Sequence, residues 1–201
     1  MRRRALLGGA AAAAALALGA GGARAAVSLG EIDAYFNGFR TAQGKFTQVN
    51  ADGTISTGTL YIQRPGRVRF EYDPPENQLV MAGGGQVAIF DGKSRGGPEQ
   101  YPLSQTPLKI ILQDSVALGR DRMVVGRREE GASTIVVAQD PANPELGTIE
   151  LVFTGGPTQL RQWVVTNGAG ERTTVILGEL RLGGSLPSRL FSIPLESENW
   201  R

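Results

Sequence analysis

The stretch LYIQRPGRVRFEYDPP, residues 60–75, contains two runs of alternating apolar residues on either side of an Arg-Pro-Gly corner. This alternation predicts two antiparallel strands that each bury one face. Leu60 and Ile62 share one face of the first run, and Arg64 falls on the same face. An unpaired charge on a buried face is costly. Arg64 therefore either has partners elsewhere in the fold or is a solvated arginine at the end of an edge strand.

Period-two alternation continues over most of the chain after Lys45 and predicts ten strands. The connections are short and rich in Gly, Pro, Asn and Asp, so neighbouring strands must be antiparallel. Only the interval around residues 91–122 is long enough for a different kind of connection. The predicted strands are Phe46–Val49, Thr54–Arg64, Arg67–Tyr72, Gln78–Met81, Gln86–Phe90, Met123–Arg127, Ser133–Gln139, Thr148–Phe153, Gln159–Thr166 and Arg172–Leu180.

Two segments have helical periodicity instead. Ser28 and Glu31 form a capping-box pattern, and we expect a helix that begins after Ser28 and ends at Gly44. In the second segment, Pro102–Gly119, Pro107 suits the first position of a helix. The apolar residues at helical spacing are Leu29, Ile32, Phe36 and Phe39 in the first segment and Leu108, Ile111, Leu112 and Val116 in the second.

These elements predict a mainly β (α+β) fold. An antiparallel sheet of about ten strands can close into a barrel or curl into an incomplete one. Two or three helices then cover the opening with their apolar faces turned inward. Either arrangement encloses a mostly apolar space, which indicates the binding of an apolar ligand.

The first 25 residues have the layout of a secretory signal peptide. Three arginines precede an apolar run from Ala5 to about Ala20, and the small-residue site Ala23-Arg24-Ala25 follows. We expect cleavage near Ala25 and one domain over residues 26–201, with export by the general secretory route or the twin-arginine route. A retained N-terminal anchor is the other interpretation, although the run is shorter than a membrane-spanning helix requires.

Composition excludes several kinds of site. The chain contains no Cys and no His, so it lacks Ser–His triads, cysteine nucleophiles and Cys/His zinc sites. We therefore expect no enzyme activity, no cofactor and no metal ion. Removal of residues 1–25 takes away four arginines and changes the net charge from +2 to −2. A chain without a basic excess is not expected to bind nucleic acid.

Five motifs together resemble one known family. They are GKFTQ at 44–48, GTLYIQRPGRVRFEYDPP at 58–75, VMAGGGQVAIFDG at 80–92, YPLSQTPLKIIL at 101–112 and FSIP at 191–194. In order and spacing they are similar to the periplasmic lipoprotein carrier family, LolA, over most of residues 28–195. The Arg-Pro corner and the aromatic-rich strand after it are the most specific of these motifs.

The resemblance implies an open antiparallel β half-barrel of about ten to eleven strands, with a lid of two to three α-helices over an apolar cavity. It implies that Arg64 hydrogen-bonds backbone carbonyls of the lid and acts as a latch that holds the empty cavity closed. Val68, Phe70, Ala88 and Phe90 stand where well-studied members have other aromatic residues, so the cavity's shape is expected to differ. The residues expected to line the acyl-chain cavity are Leu60, Ile62, Val68, Phe70, Phe90, Leu108, Ile111 and Leu112.

The resemblance also implies a function and partners. The expected function is that of a periplasmic chaperone that carries triacylated lipoproteins from the inner to the outer membrane. Its partners are acylated lipoprotein cargo, an ATP-driven lipoprotein-releasing transporter in the inner membrane and an outer-membrane acceptor, and a monomer is expected. The alternative is a LolA-like carrier or sensor of another lipid or glycolipid of the envelope.

Overall fold

The computed structural model describes residues 26–93 and 96–200 and contains two α-helices and twelve strands. The signal peptide predicted over residues 1–25 lies outside the described residues. The helices are α1 (Leu29–Asn37) and α2 (Ile193–Asn199). The strands are β1 (Thr41–Val49), β2 (Ile55–Gln63), β3 (Arg67–Tyr72), β4 (Gln78–Gly83), β5 (Gln86–Asp91), β6 (Glu99–Pro102), β7 (Val124–Glu130), β8 (Ser133–Gln139), β9 (Gly147–Thr154), β10 (Gln159–Asn167), β11 (Arg172–Leu177) and β12 (Arg181–Leu182).

All twelve strands belong to one antiparallel sheet. Its order is β6-β5-β4-β3-β2-β1-β11-β10-β9-β8-β7, and the short β12 also pairs with β1. β6 and β7 are therefore the two free edges, so the sheet is open. Residues 103–123 connect these edges and are called the bridging segment below.

The sheet is strongly curved. Phe70 on β3 and Trp163 on β10 are separated by three intervening strands, which would place their backbones about 19 Å apart in a flat sheet. Their ring centroids are 6.2 Å apart. The curvature gives the sheet a concave face filled by one large apolar cluster, and this geometry is consistent with the predicted half-barrel.

Helix α1 is shorter than the sequence predicts. Its capping box is present, with the Ser28 side chain accepting from the Glu31 backbone N–H, but the helix ends at Asn37 rather than at Gly44. Gly44 instead lies inside β1, where a Cβ atom would come within 2.7 Å of the Glu179 carbonyl oxygen. This glycine therefore serves a close backbone approach and does not end the helix.

The helix predicted in Pro102–Gly119 is wrong. The bridging segment contains only two short 3-10 helices, Leu103–Gln105 and Pro107–Ile110. Backbone groups that a helix would use make tertiary hydrogen bonds instead. The Val116 and Leu118 N–H groups donate to side chains of α1. These tertiary bonds replace the helical ones, so the lid contains one α-helix, α1, together with the bridging segment.

The strand prediction missed the two short strands β6 and β12, and β1 begins at Thr41 rather than at Phe46. The predicted tail after the last strand also contains α2. This helix packs on the convex face of the sheet, opposite the concave cluster. A second, smaller apolar cluster lies between α2 and the convex face, and we call it the convex cluster. It consists of Leu79, Met81, Ala88, Phe90 and Ile193, with Trp200 packed against it.

Candidate functional site

Arg64 directly follows β2, and only 4% of its surface is exposed. Its guanidinium points into the junction between α1 and the bridging segment. It also lies 5.8 Å from the centroid of the Phe39 ring, in a cation–π arrangement. It donates to five acceptors, which are the carbonyl oxygens of Phe36, Phe39 (3.3 Å), Gln113 (2.9 Å) and Asp114 (3.2 Å) and the side-chain oxygen of Asn37 (3.4 Å).

The chemistry of these acceptors suits a guanidinium. Phe36 lies in the last turn of α1, where carbonyl groups lack helical partners and carry partial negative charge. Arginine offers five donors in a fixed planar arrangement and keeps its charge. Burial lowers the pKa of Arg64 below its ordinary value, as does the nearby Arg40 cation, while Asp114 opposes the shift.

The backbone of the same corner also holds the bridging segment. The Gly66 N–H donates to the Leu112 carbonyl oxygen at 2.8 Å, and Gly66 has a φ of +70°, which favours glycine. Together with Arg64, the β2–β3 corner therefore supplies donors to three consecutive carbonyls, those of residues 112–114.

Two polar side chains of α1 join the helix to the bridging segment. The Asn37 side-chain amide donates to the Val116 carbonyl oxygen at 2.7 Å and accepts from the Val116 N–H at 2.9 Å. Asp33 accepts from the Leu118 N–H at 3.0 Å. These bonds make α1 and the bridging segment one hydrogen-bonded unit, and we call that unit the lid.

The structure brings together seven of the eight residues predicted to line the cavity. Leu108 is partly buried against the concave cluster, and the other six are buried within it: Leu60, Ile62, Val68, Phe70, Ile111 and Leu112. Phe90 is the exception, and its predicted place is corrected here. It pairs with Leu79 across β4 and β5 and belongs to the convex cluster under α2, because Val87 and the other alternate residues of β5 face the concave side.

The concave face is filled by the protein's own side chains, with aromatic rings packed edge to face. The ring centroids of Phe46 and Phe70 are 5.3 Å apart, and those of Phe36 and Phe153 are 5.9 Å apart. The lid is therefore closed in this structure. An acyl chain can occupy the concave face only if the lid moves and these rings separate.

An open pocket of about 610 Å³ lies at one end of the half-barrel, and we call it the mouth pocket. It is lined by the β1–β2, β8–β9 and β10–β11 connections and by the start of the bridging segment. Tyr101 and Val165 line the pocket and also pack against the concave cluster, so its apolar wall is continuous with the interior. Other lining residues are Asp52, Thr106, Pro107 and Leu146.

The sequence analysis missed the ion pairs of Lys109 and of Arg69. Lys109 in the bridging segment pairs with Asp140, which follows β8, and the two side chains are 25% and 14% exposed. Arg69 on the convex face pairs with Glu196 of α2 at 2.8 Å and with Glu71 at 2.6 Å. Neither long-range partner is near in sequence, so no local pattern could have identified it.

Within residues 26–93 and 96–200, no cluster of three or more His, Cys, Asp and Glu side chains could hold a metal ion. In the same part of the chain, no helix is long and apolar enough to cross a membrane.

Comparison with known protein families gives one family match. The sequence profile described as outer membrane lipoprotein carrier protein LolA matches residues 37–194. A Pseudomonas aeruginosa protein named outer-membrane lipoprotein carrier protein is 24% identical over 189 residues, covering 89% of this chain and 90% of that protein. A protein of the same name from Coxiella burnetii is 28% identical over 176 residues, covering 80% of each chain.

Solved structures with a similar chain path have low sequence identity. An uncharacterized conserved protein from Thermus thermophilus is 11% identical with a TM-score of 0.48, covering 84% of this chain and 94% of that one. A LolA superfamily protein from Nitrosomonas europaea is 11% identical with a TM-score of 0.43, covering 83% and 98%. The family assignment therefore rests on the sequence match.

Proposed function

This chain belongs to the LolA family of outer membrane lipoprotein carrier proteins, and from that premise we propose that it is a periplasmic carrier of triacylated lipoproteins. In this proposal the acyl chains of the cargo lie between the curved sheet and the lid. The observation that carries the proposal is the continuous apolar cluster on the concave face, closed by a lid that polar contacts hold in place.

The energetics of acyl chains explain the expected partners. A chain of about 14 methylenes loses about 11 kcal/mol of favourable transfer free energy when it leaves an apolar environment, at about 0.8 kcal/mol per methylene. Spontaneous release of several chains into water is therefore negligible. The carrier receives its cargo directly from an ATP-driven transporter in the inner membrane and passes it directly to an outer-membrane acceptor.

Arg64 is proposed to act as a latch of the empty carrier. Its contacts with the α1 carbonyls and with residues 113 and 114 can form only while the lid is down. A loaded carrier loses these bonds and regains them on release of the cargo. The regained bonds favour emptying, because they stabilise the closed state relative to the loaded one.

A synthetic tripalmitoylated lipopeptide tests the proposal. The mature protein, mixed with the lipopeptide, is separated by gel filtration, and the same peptide without acyl chains is the control. We expect a soluble one-to-one complex with the acylated peptide and none with the control. Absence of a complex with the acylated peptide would overturn the proposal.

Capture of tagged protein from its native periplasm tests the nature of the cargo. Mass spectrometry of the bound material is expected to identify triacylated lipoproteins. If the protein carries only free lipids or glycolipids, the alternative function, a LolA-like carrier or sensor of another envelope lipid, replaces the one proposed.

A further inference from the structure

We propose that Lys109 and Asp140 form a second fastening of the lid, and that its release opens the mouth pocket into the interior while Arg64 still holds the other end. This inference rests on the proposed function, because it assigns the route by which acyl chains enter. It concerns the order in which parts of the lid move. The ion pair lies close to the mouth pocket, because the bridging segment and the connection between β8 and β9 contribute residues to both.

Two of the polar contacts that hold the bridging segment lie on opposite sides of the curved sheet. The β2–β3 corner binds the carbonyls of residues 112–114. Lys109 binds Asp140, which lies between β8 and β9, near the far edge of the sheet. Because the segment connects the two edges, one fastening can open without the other.

The two fastenings differ in strength. Release at the β2–β3 corner breaks the five hydrogen bonds of a buried guanidinium and the bond from Gly66. The polar contact at the other end is one ion pair, whose side chains are 25% and 14% exposed, and Pro107 and Ile110 beside it are buried. Accessible ion pairs are weaker and are screened by salt. In this proposal the Lys109 end, which has fewer polar contacts, opens first.

Hydrogen bonds within the connection between β8 and β9 orient the Asp140 carboxylate for this contact. It accepts from the Ala142 N–H at 2.9 Å and from the Asn143 side chain at 2.7 Å. The Lys109 ammonium and these bonds lower the pKa of Asp140 to about 2, so the carboxylate is charged at neutral pH. Salt concentration, rather than protonation, is then the condition that weakens this fastening.

The position of the pair links it to the mouth pocket. The 3-10 helix that carries Lys109 begins at Pro107, which lines that pocket, and the connection after Asp140 contributes Leu146 to the same wall. Movement of Lys109 away from Asp140 separates these two walls. The opening then leads to Ile110 and Ile111, which are buried in the concave cluster.

Stopped-flow entry of Nile red, an uncharged apolar dye, tests the inference. We expect K109M to raise the entry rate about three- to tenfold. D140N has the same effect, and the double variant is no faster than either single variant, because the pair acts as a unit. K109R retains the charge and keeps the wild-type rate. The wild-type rate rises with salt, and the K109M rate does not.

The matched control is K45M, which removes an exposed ion pair between Lys45 and Asp73 on the sheet and leaves the entry rate unchanged. The inference is overturned if K109M and D140N both take up the dye at the wild-type rate and with the wild-type salt dependence. That result leaves the proposed function intact, provided that the wild-type protein binds the dye. Failure of wild-type protein to bind either Nile red or the lipopeptide would overturn the proposed function and this inference together.

Discussion

At the scale of single residues, the side chain of Arg64 connects the end of a strand to two other elements. A charge with 4% exposure is stable only where its desolvation is offset by well-placed partners. Here the partners are carbonyl groups that would otherwise be unsatisfied at the end of α1 and along an irregular segment. In the latch that we propose, these bonds form only in the closed state, so the same contact has a structural and a functional role.

Replacement of Arg64 by Leu tests that role. The variant keeps apolar bulk but removes all donors, each worth about 1.5–3 kcal/mol for a charged group. We expect the closed state to lose at least one to two orders of magnitude in population relative to the open state. Loading of acylated cargo persists, and transfer to the acceptor fails, measured as lipopeptide passed between purified carrier and acceptor. R67L, an exposed arginine of the same corner, is the control, and wild-type transfer by R64L would refute the latch.

The two tryptophans of the chain give a second test at this scale, because they lie on opposite faces of the sheet. Trp163 is buried in the concave cluster beside Phe70, and Trp200 packs against Phe90 on the convex face. Brominated acyl chains quench tryptophan fluorescence on contact. We expect a brominated lipopeptide to quench W200F, in which Trp163 remains, and to leave W163F almost unquenched. Equal quenching of both variants would place the acyl chains elsewhere.

At the scale of elements, each face of the sheet has its own cover. The lid covers the concave face through buried apolar side chains such as Ile32, Phe36 and Ile110, and through polar contacts to its backbone. Helix α2 covers the convex face through apolar packing and through Glu196, which pairs with Arg69.

Replacement of Glu196 by Gln tests the attachment of α2. Arg69 is 8% exposed, and the variant leaves it with Glu71 as its remaining ionic partner. We expect a loss of about 1–3 kcal/mol in the free energy of unfolding, measured by urea denaturation, with unchanged affinity for the lipopeptide. The control is E198Q, an exposed position of the same helix, where we expect almost no change. A lowered lipopeptide affinity in E196Q would show that the convex face also takes part in binding.

At the scale of the whole molecule, one curved open sheet suits both the storage of acyl chains and the lid movement that the proposed function requires. A closed barrel would fix the interior volume, whereas an open sheet leaves two edges, which the bridging segment connects. The interior can then expand when that segment lifts, without breaking any strand pair. The absence of cysteine from the sequence means that no disulfide restrains this expansion.

Export of the chain is a further expectation that can be tested. Ala23 and Ala25 are the small residues that a signal peptidase requires, so we expect the exported protein to begin at Ala26. Intact-mass measurement of protein from the periplasmic fraction gives the result directly. A product that still begins at Met1 and sediments with membranes would contradict this expectation.

Local pattern predicted much of this molecule. Period-two alternation with short turns located ten of the twelve strands and required them to be antiparallel, because short links permit nothing else. The capping box at Ser28 located the start of α1. The alternation from Leu60 to Arg64 put a charge on the apolar face of a strand and left two explanations open, partners elsewhere in the fold or a solvated strand end. The structure shows that Arg64 is buried. All of these depend on residues close together in the chain.

Where a residue or a backbone group has several nearly equivalent partners, the tertiary structure alone decides which contact forms. Phe90 could not be assigned to a face from the sequence, because β5 is apolar on both sides and α2, about a hundred residues later, covers the convex one. The bridging segment has helical spacing, but the β2–β3 corner and α1 take its backbone groups. Periodicity reports which residues share a face, whereas the partner of each face and of each polar group depends on how distant segments meet.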